Sequence, residues 1–313
     1  MRTQKIYILS AVCLFVGLIV FLIGFAMMGF NIMNFDTEPA YNKAVYDASG
    51  DIEGIVIDEH GADVKFVSSD DGKVHIKYYE NSRRGYVFNT EPNGNLHISS
   101  IFNNDWTQIF GISVSTPTLT VMLPKDFKGD IKVDCTLGDI VCENISAGSF
   151  SAETENGDVK LSGAAFSGHL TVDTELGSAE AYNVQVDRTA KLSAENGTLF
   201  AQIFKSADFY AESENGHITL ADISFSGSMF SESENGNVLL SNINVGRSIT
   251  LISENGDIKG NIKGAVADFT YNCSAQNGSC NLPQSLLGGE KQFNAKCENG
   301  DIEIYMLTTT AAE

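Results

Sequence analysis

The sequence predicts an all-β fold: a β-solenoid (β-helix) of about nine 20-residue coils with an irregular β cap, preceded by one N-terminal transmembrane helix. Three observations predict it. A turn glycine recurs at a near-constant interval from Gly138 onward, apolar and polar residues alternate on both sides of it, and an uncharged run of 25 residues stands near the N-terminus.

The apolar run Ile6–Phe30 is long enough, at 1.5 Å per residue, to cross a hydrocarbon core of about 30 Å. Two basic residues precede the run and two acidic residues follow it, so the positive-inside rule places the N-terminus in the cytoplasm. We therefore predict a single-pass cell-membrane protein with residues 1–5 cytoplasmic, residues 6–30 spanning the membrane, and an extracytoplasmic C-terminal domain.

The repeat decides the rest of the fold. Its units are 19 to 22 residues long, and most contain a pentad such as ENGDV, ENGHI or ENGDI. The turn glycines are Gly138, Gly157, Gly177, Gly197, Gly216, Gly236, Gly256, Gly278 and Gly300. Asn-Gly is a strong turn signal because both residues tolerate positive φ. The second and fourth residues after the glycine are usually apolar, so each unit is predicted to be two short strands joined by a tight turn.

One unit cannot bury its apolar face alone, but stacked units can. Two stackings fit: a solenoid, in which equivalent residues lie about 4.8 Å apart, and an antiparallel meander of hairpins. The constant period favours the solenoid, with Val159, Ile218 and Val238 inside. A further apolar position follows six or seven residues after the glycine: Ile145, Val184, Ile203, Ile223, Ile243 and Ile262. The predicted segments after the span are a linker (31–46), a β cap region (47–130), the repeat β-solenoid (131–308) and a tail (309–313).

These repeats resemble the bacterial putative-adhesin domain of unknown function. The resemblance is carried by the ENGDI-type pentads, by TLTVMLPKDFKGDIKVDCTLGDI (Thr118–Ile140) and by IVIDEHGADVKFVSSDDGKVHIKYYE (Ile55–Glu80). It covers roughly Val45–Leu307. The resemblance implies a β-helical fold in cell-envelope proteins, in some cases linked to envelope stress, and it transfers no catalytic residue.

The charge balance limits the partners. The formal net charge is −20. Such a surface repels nucleic acid and attracts cations or basic partners, so we predict no nucleic-acid binding.

The candidate site is a column of acids two residues before the turn glycine. The predicted metal ligands in it are Glu155, Glu175, Glu195, Glu214, Glu234 and Glu254, and Glu298 continues the column. A partial second column, four residues before the glycine, holds Asp134, Glu153, Asp173, Glu212 and Glu232. Stacked carboxylates would raise each other's pKa, and Ca²⁺ could relieve the repulsion. The competing interpretation is a solvated face that keeps the domain soluble. No other cofactor is predicted.

Other polar groups have simpler interpretations. Asn156, Asn196, Asn215, Asn235, Asn255, Asn277 and Asn299 are placed to form a stacked amide ladder. Of six cysteines, Cys13 lies in the predicted span, where lipidation is the alternative, and the others are predicted to be buried free thiols: Cys135, Cys142, Cys273, Cys280 and Cys297. If a disulfide forms, Cys280 with Cys297 is the predicted pair. The histidines show no repeated relation to acids and are predicted to lie on surface strands: His60, His75, His97, His169 and His217.

The segment Ser99–Gly111 differs from its surroundings because it concentrates Phe102, Trp106, Ile109 and Phe110 in a predicted loop. Such a loop suits a plug over the open end of the solenoid. Insertion of its aromatic residues into a membrane interface is the alternative.

Two function classes follow. The first is a membrane-anchored, adhesin-like binding or scaffolding module of the cell envelope, with cell-wall polymer or an envelope protein as its partner. The second is a carbohydrate-active β-helix enzyme, a lyase or hydrolase. An enzyme needs acids and bases gathered in one groove, whereas these acids recur evenly along the chain. The sequence therefore predicts a non-enzyme with no catalytic residue.

Overall fold

The structure is a computed structural model. It describes residues 2–27, 29, 40–102 and 116–308, and it describes the side chains of the N-terminal helix over residues 13–26. The helix is α1 (Arg2–Met27), and a 3-10 turn covers Val266–Asp268. The strands before the regular repeats are β1 (Asn42–Asp47), β2 (Gly54–Glu59), β3 (Asp63–Ser68), β4 (His75–Glu80), β5 (Arg84–Thr90), β6 (Asn95–Phe102) and β7 (Thr118–Leu123).

The remaining strands belong to the repeats. They are β8 (Asp130–Leu137), β9 (Ile140–Glu143), β10 (Ser146–Ala147), β11 (Phe150–Asn156), β12 (Val159–Ser162), β13 (Ala165–Phe166), β14 (Leu170–Leu176), β15 (Ala179–Val186), β16 (Thr189–Asn196), β17 (Leu199–Ser206), β18 (Asp208–Ser213), β19 (Ile218–Phe225), β20 (Ser228–Ser233), β21 (Val238–Ile243), β22 (Ser248–Asn255), β23 (Ile258–Lys263), β24 (Phe269–Asn277), β25 (Ser285–Leu286), β26 (Lys291–Asn299) and β27 (Ile302–Leu307).

The predicted membrane span is wrong. Among the residues that the structure describes, no helix is long and apolar enough to cross a membrane. This finding overturns the prediction of a single-pass cell-membrane protein with a span at 6–30 and a cytoplasmic N-terminus. The run does form a helix, α1.

Two long, mostly parallel sheets enclose one hydrophobic core. In the described residues, sheet 1 has fourteen strands, and its main path is β1-β4-β7-β3-β9-β12-β15-β17-β19-β21-β23-β27. Sheet 2 has thirteen strands in the order β25-β24-β26-β22-β20-β18-β16-β14-β11-β8-β2-β6-β5. Each regular repeat gives the strand before its turn glycine to sheet 2 and the strand after it to sheet 1. This is the β-solenoid-like arrangement that the period predicts.

Equivalent residues of successive repeats lie beside each other. In sheet 1, Val159 pairs with Ala179, and Ile218 pairs with Val238, both in parallel. Parallel pairing between repeats excludes the antiparallel meander. Val159, Ile218 and Val238 are all 0% exposed, as predicted.

The turn glycines are required by close contact rather than by positive φ. A Cβ on Gly177 would overlap the carbonyl oxygen of Gly157, and a Cβ on Gly197 would overlap that of Gly177. Of the predicted turn glycines, only Gly138 and Gly300 have φ between +20° and +160°. The Asn-Gly signal located the turns correctly, but its physical reason is that the turn backbones stack too closely for a side chain.

In six repeats the chain bends at the sixth residue after the turn glycine, which is Gly163 in one of them. The residue there has positive φ in Asn144, Asn183, Ile203, Asp222 and Asn242. This bend moves the buried position to the seventh residue, so Phe204 is 0% exposed and Ile203 is 41% exposed. The predicted burial of Ile203 is therefore wrong, whereas Ile145, Val184, Ile223, Ile243 and Ile262 are buried as predicted.

At both ends of the stack of repeats, the order of the strands in sheet 2 differs from their order along the chain. Near the N-terminus, β6 lies outside β2 in sheet 2, and β8 returns to pair with β2. Near the C-terminus, β26 lies between β22 and β24. The last repeat along the chain is thus inserted before the preceding one, which leaves β24 and its hairpin partner β25 outermost.

A buried polar cluster attaches β5 to β2. Arg84 forms an ion pair with Glu59, and the Tyr86 hydroxyl donates a hydrogen bond of 2.8 Å to the same carboxylate. Arg84 also lies over the ring of Phe102, 5.1 Å from its centroid. The other aromatic residues of the predicted plug, Trp106 and Phe110, lie outside the described residues, as does Ile109.

Candidate binding face

The outer face of sheet 2 carries the predicted acids. Their neighbours at the third and fifth positions before the turn glycine, such as Thr154 and Ala152, are buried. Strand alternation therefore turns the second and fourth positions outward. All six predicted metal ligands, Glu155, Glu175, Glu195, Glu214, Glu234 and Glu254, are exposed. Glu298 extends the column, because the following residues Asn255 and Asn299 are partners in register.

The second acid column is also in register. Asp134 pairs with Glu153, Glu153 with Asp173, and Glu212 with Glu232. Partial burial, followed by the like charges of Glu212, Glu254 and Glu234, raises the pKa of Glu232. At Glu232, repulsion by neighbouring carboxylates therefore adds to the effect of burial.

A shallow groove of about 260 Å³ crosses both columns. Ser193 occupies the second column between Asp173 and Glu212. Its short side chain leaves the space that longer acids fill elsewhere. The acids lining the groove are Asp173, Glu195, Glu212, Glu214, Glu232 and Glu234.

Two aromatic rings border the acids. Tyr210 and Phe230 lie two residues before Glu212 and Glu232, with ring centroids 6.4 Å apart. Within the described part of sheet 2, the cations paired to the acid columns are Lys191 with Glu212 and Lys296 with Glu298, each at 2.8 Å. The face therefore keeps a large negative excess beside a small apolar platform.

The predicted metal ligands line the face without converging on a point. Among the described residues, no group of three or more histidine, cysteine or acidic side chains is arranged to hold a metal ion. Ca²⁺ binding by the glutamate column stays a prediction, and the geometry favours loosely held cations over a chelated ion.

The amide ladder is present beside the acids. The Nδ2 of Asn215, Asn235 and Asn255 each donates to the Oδ1 of the preceding ladder residue at 3.0 Å. Asn299 and Asn277 continue the ladder at 2.9 Å. Asn156 is outside it, because its register partners are Leu137 and Leu176. The ladder fixes the backbone from which the glutamates project.

Two further columns were missed by sequence reasoning. The residue after the turn glycine accepts a hydrogen bond from the backbone N–H of the next repeat, as between Asp139 Oδ1 and Asp158 at 2.8 Å. Three residues before the glycine, a buried hydroxyl or thiol donates to a turn carbonyl, as Ser253 does to Gly236 at 3.0 Å. The recurring D of ENGDI and the recurring S or T were the available signals.

Cys297 stands in this hydroxyl column, and its thiol donates to the Gly256 carbonyl at 3.1 Å. Cys280 and Cys297 are free thiols, as the main interpretation of the sequence predicted, and the alternative disulfide between them is not formed. Cys297 is directed toward β22, away from the strand that precedes Cys280.

Two histidines contact acids, although the contacts are not repeated along the chain. His97 Nε2 lies 3.3 Å from Glu91 Oε1, and His75 contacts two acids. His75 Nδ1 lies 2.6 Å from Asp47, and Nε2 lies 2.9 Å from Asp71. Hydrogen bonds to Asp47 and then Asp71 raise the pKa of His75. This group joins β1 to β4 and lies outside the acidic face.

The family described as Toastrack DUF4097 matches residues 52–310. Among solved structures, a putative adhesin from Bacteroides fragilis is 13% identical with a TM-score of 0.46, covering 85% of this chain and 99% of the other. A putative cell adhesion protein from Clostridium sporogenes is 10% identical with a TM-score of 0.27, covering 86% and 100%. No curated protein matches the chain.

Proposed function

Because the chain belongs to the Toastrack DUF4097 family, we propose that it is an adhesin-like binding module whose acidic sheet face holds a positively charged partner. The observation that carries the proposal is the in-register run of outward carboxylates on this face, as Glu153 is with Asp173 and Glu212 with Glu232, and the raised pKa of Glu232 supports it. A cation bound to this face is attracted by several neighbouring carboxylates and also reduces the repulsion between them. Its binding is therefore more favourable than the formation of one isolated ion pair.

The shape of the face favours an extended partner. Acids follow each other at about 4.8 Å along the sheet, and the groove at Ser193 is open and shallow. An extended polymer bearing amines can meet many carboxylates at once, whereas a small ion meets one or two. Tyr210 and Phe230 supply ring faces on which an ammonium or guanidinium group can rest beside Glu212. A basic segment of a protein or an amine-bearing envelope polymer fits this chemistry.

The test measures binding of fluorescent poly-lysine to the full chain by anisotropy across a salt series. We expect binding that weakens steeply with salt, because the contacts are exposed charges. The triple variant Glu195→Gln, Glu214→Gln and Glu234→Gln should weaken it at least about tenfold, equivalent to about 1.4 kcal/mol.

The control removes three acids from elsewhere: Glu180→Gln, Asp187→Asn and Glu303→Gln. It has the same net charge as the test variant but an intact acidic face. Equal losses in both variants would show that binding follows net charge alone and would refute a dedicated face.

We also propose that the role is not enzymatic and that the repeats form about nine coils, a rod about 43 Å long. The even spacing of the acids supports a non-enzymatic role, since acid–base catalysis needs groups with different pKa values close together in one site. Release of reducing ends from cell-wall or capsular glycans by the purified chain would overturn it in favour of the lyase or hydrolase alternative.

A further inference from the structure

Two cysteines meet in the outermost repeat. Cys273 lies on β24 with its side chain in the core, 4% exposed. Cys280 follows the turn at Gly278, pairs with Ile302 of the inserted repeat, and is half-buried. The chain then folds back, and the backbone N–H of Cys273 donates to Gln284 at 3.0 Å. Cys280 is therefore held against the strand that carries Cys273.

The two thiols face the same core: Cys273 is part of it, and Cys280 packs against it while its thiol donates to the Leu282 carbonyl at 3.6 Å. Burial, followed by the charge of Cys280 and a side-chain hydrogen bond with it, raises the pKa of Cys273 to about 12. Cys297, on the neighbouring strand, donates instead to Gly256. Cys135 and Cys142 are each 0% exposed, deep in the rod. Cys273 and Cys280 are thus a thiol pair with one member near solvent.

We propose that Cys273 and Cys280 form a reversible disulfide that locks the outermost repeat onto the rod. The oxidant is a small-molecule disulfide. The Cys280 thiolate attacks one of its sulfurs, forming a mixed disulfide and releasing one thiol. Cys273 loses its proton and attacks the Cys280 sulfur, which releases the second thiol. The protein loses two hydrogens, and the oxidant is reduced to two thiols.

The disulfide would lie in the repeat that is most easily unfolded. The repeat lies at the end of sheet 2, and Phe269, Tyr271 and Phe293 pack beneath it with ring centroids 5.4 to 6.3 Å apart. Residues 283–288 next to it are exposed. Terminal repeats have one neighbour and open first. A cross-link between β24 and the turn after it therefore keeps the outermost repeat packed over these aromatic side chains.

The experiment uses the full chain carrying Cys13→Ser, because Cys13 is exposed and would react on its own. The protein is incubated with oxidised glutathione, denatured, and its thiols are counted and mapped by mass spectrometry. We expect the count to fall from five to three, with no glutathione retained and a Cys273–Cys280 peptide pair. The melting temperature should rise by about 5 °C and return on reduction.

Adding Cys273→Ser to this background tests the order of the reaction. This variant has four thiols, and Cys280 should then retain glutathione, so the thiol count falls only from four to three. The proposal is overturned if glutathione also stays on Cys280 when Cys273 is present, or if all five thiols survive. Circular dichroism of each variant before oxidation shows that the comparison is between folded proteins.

Discussion

A residue in one repeat can be compared with the residues at the same position in the other repeats, because the repeats stack in register. The sixth residue after the turn glycine adopts positive φ in five non-glycine residues: Asn144, Asn183, Ile203, Asp222 and Asn242. Asn and Asp tolerate this conformation, whereas a β-branched side chain is strained there. Ile203 is thus a point of stored strain on the surface.

Replacing Ile203 should stabilise the fold. We expect Ile203→Asn to raise the free energy of unfolding by about 1 kcal/mol, because relief of a left-handed β-branched residue exceeds the loss of its partial burial. Urea denaturation measures the change. The reverse swap, Asn183→Ile, should lower stability by a similar amount, and equal stability of all three proteins would contradict the strain.

The buried hydroxyls make a second residue-scale contrast. Ser253 Oγ lies 3.0 Å from the carbonyl oxygens of both Gly236 and Gly256, whereas the buried Ser231 Oγ has no hydrogen-bond partner within the described residues. Ser253→Ala should cost about 1–3 kcal/mol because a buried carbonyl loses its donor.

Ser231→Ala should be neutral or stabilising by up to about 1 kcal/mol, since it removes an unpaired buried hydroxyl. Thermal and urea unfolding of the two variants compare them directly. The hydrogen-bond assignment fails if Ser231→Ala proves the more damaging substitution.

At the scale of the element, the amide ladder joins neighbouring strands of sheet 2 through side chains as well as backbone. Each internal member both donates and accepts, as Asn235 does between Asn215 and Asn255. Like charges directly opposite in a sheet are destabilising. The ladder therefore places neutral, mutually bonded groups beside a column that would otherwise be all carboxylate.

Asn235→Asp should lower the free energy of unfolding at pH 7 by about 1–2 kcal/mol, because it removes one donor and adds a charge beside Glu234. The loss should shrink at pH 4, where the new carboxyl is partly protonated. Asn156→Asp is the matched control, since its register partners are leucines. If both variants lose the same stability, the ladder contributes nothing beyond the backbone.

For the whole molecule, the net charge of −20 is the dominant long-range term. It opposes compaction, and cations that gather along the acidic face reduce it. Because the predicted ligands line the face without converging, this stabilisation should depend on ion charge more than on ion size.

We therefore expect millimolar Ca²⁺ and millimolar Mg²⁺ to raise the melting temperature of the full chain equally, relative to a chelator at matched ionic strength. Differential scanning calorimetry provides the measurement. A rise confined to Ca²⁺ would instead indicate a chelating site among Glu155, Glu175, Glu195, Glu214, Glu234 and Glu254. Absence of any rise would exclude cation binding by this column.

The sign of the pH dependence of folding stability follows from the pKa shifts of three acids. The pKa of Glu232 is raised in the folded chain, so its protonation favours the folded state, and that contribution is lost as pH rises through its folded pKa. Hydrogen bonds from the Ser178 and Asp301 backbones lower the pKa values of Asp158 and Asp257. Their contribution is lost only as pH falls below about 3.8. The stability that these groups contribute should be greatest at a pH above the range in which Asp158 and Asp257 are protonated and below the folded pKa of Glu232. In urea titrations, Glu232→Gln should reduce the fall in stability as pH rises above that maximum.

The sequence by itself determined the repeat, the inward aliphatic positions and the outward acids, because period and alternation are local properties that register then repeats. It favoured the solenoid over the antiparallel meander, and the parallel pairing of the strands decided between them. Only the tertiary structure decided the exchanged order of the last two repeats, the outward turn of Ile203 and the placement of Cys273 and Cys280 against the same core. Each of these depends on which strand lies beside which. The single-pass membrane placement also failed, because among the described residues no helix is long and apolar enough to cross a membrane.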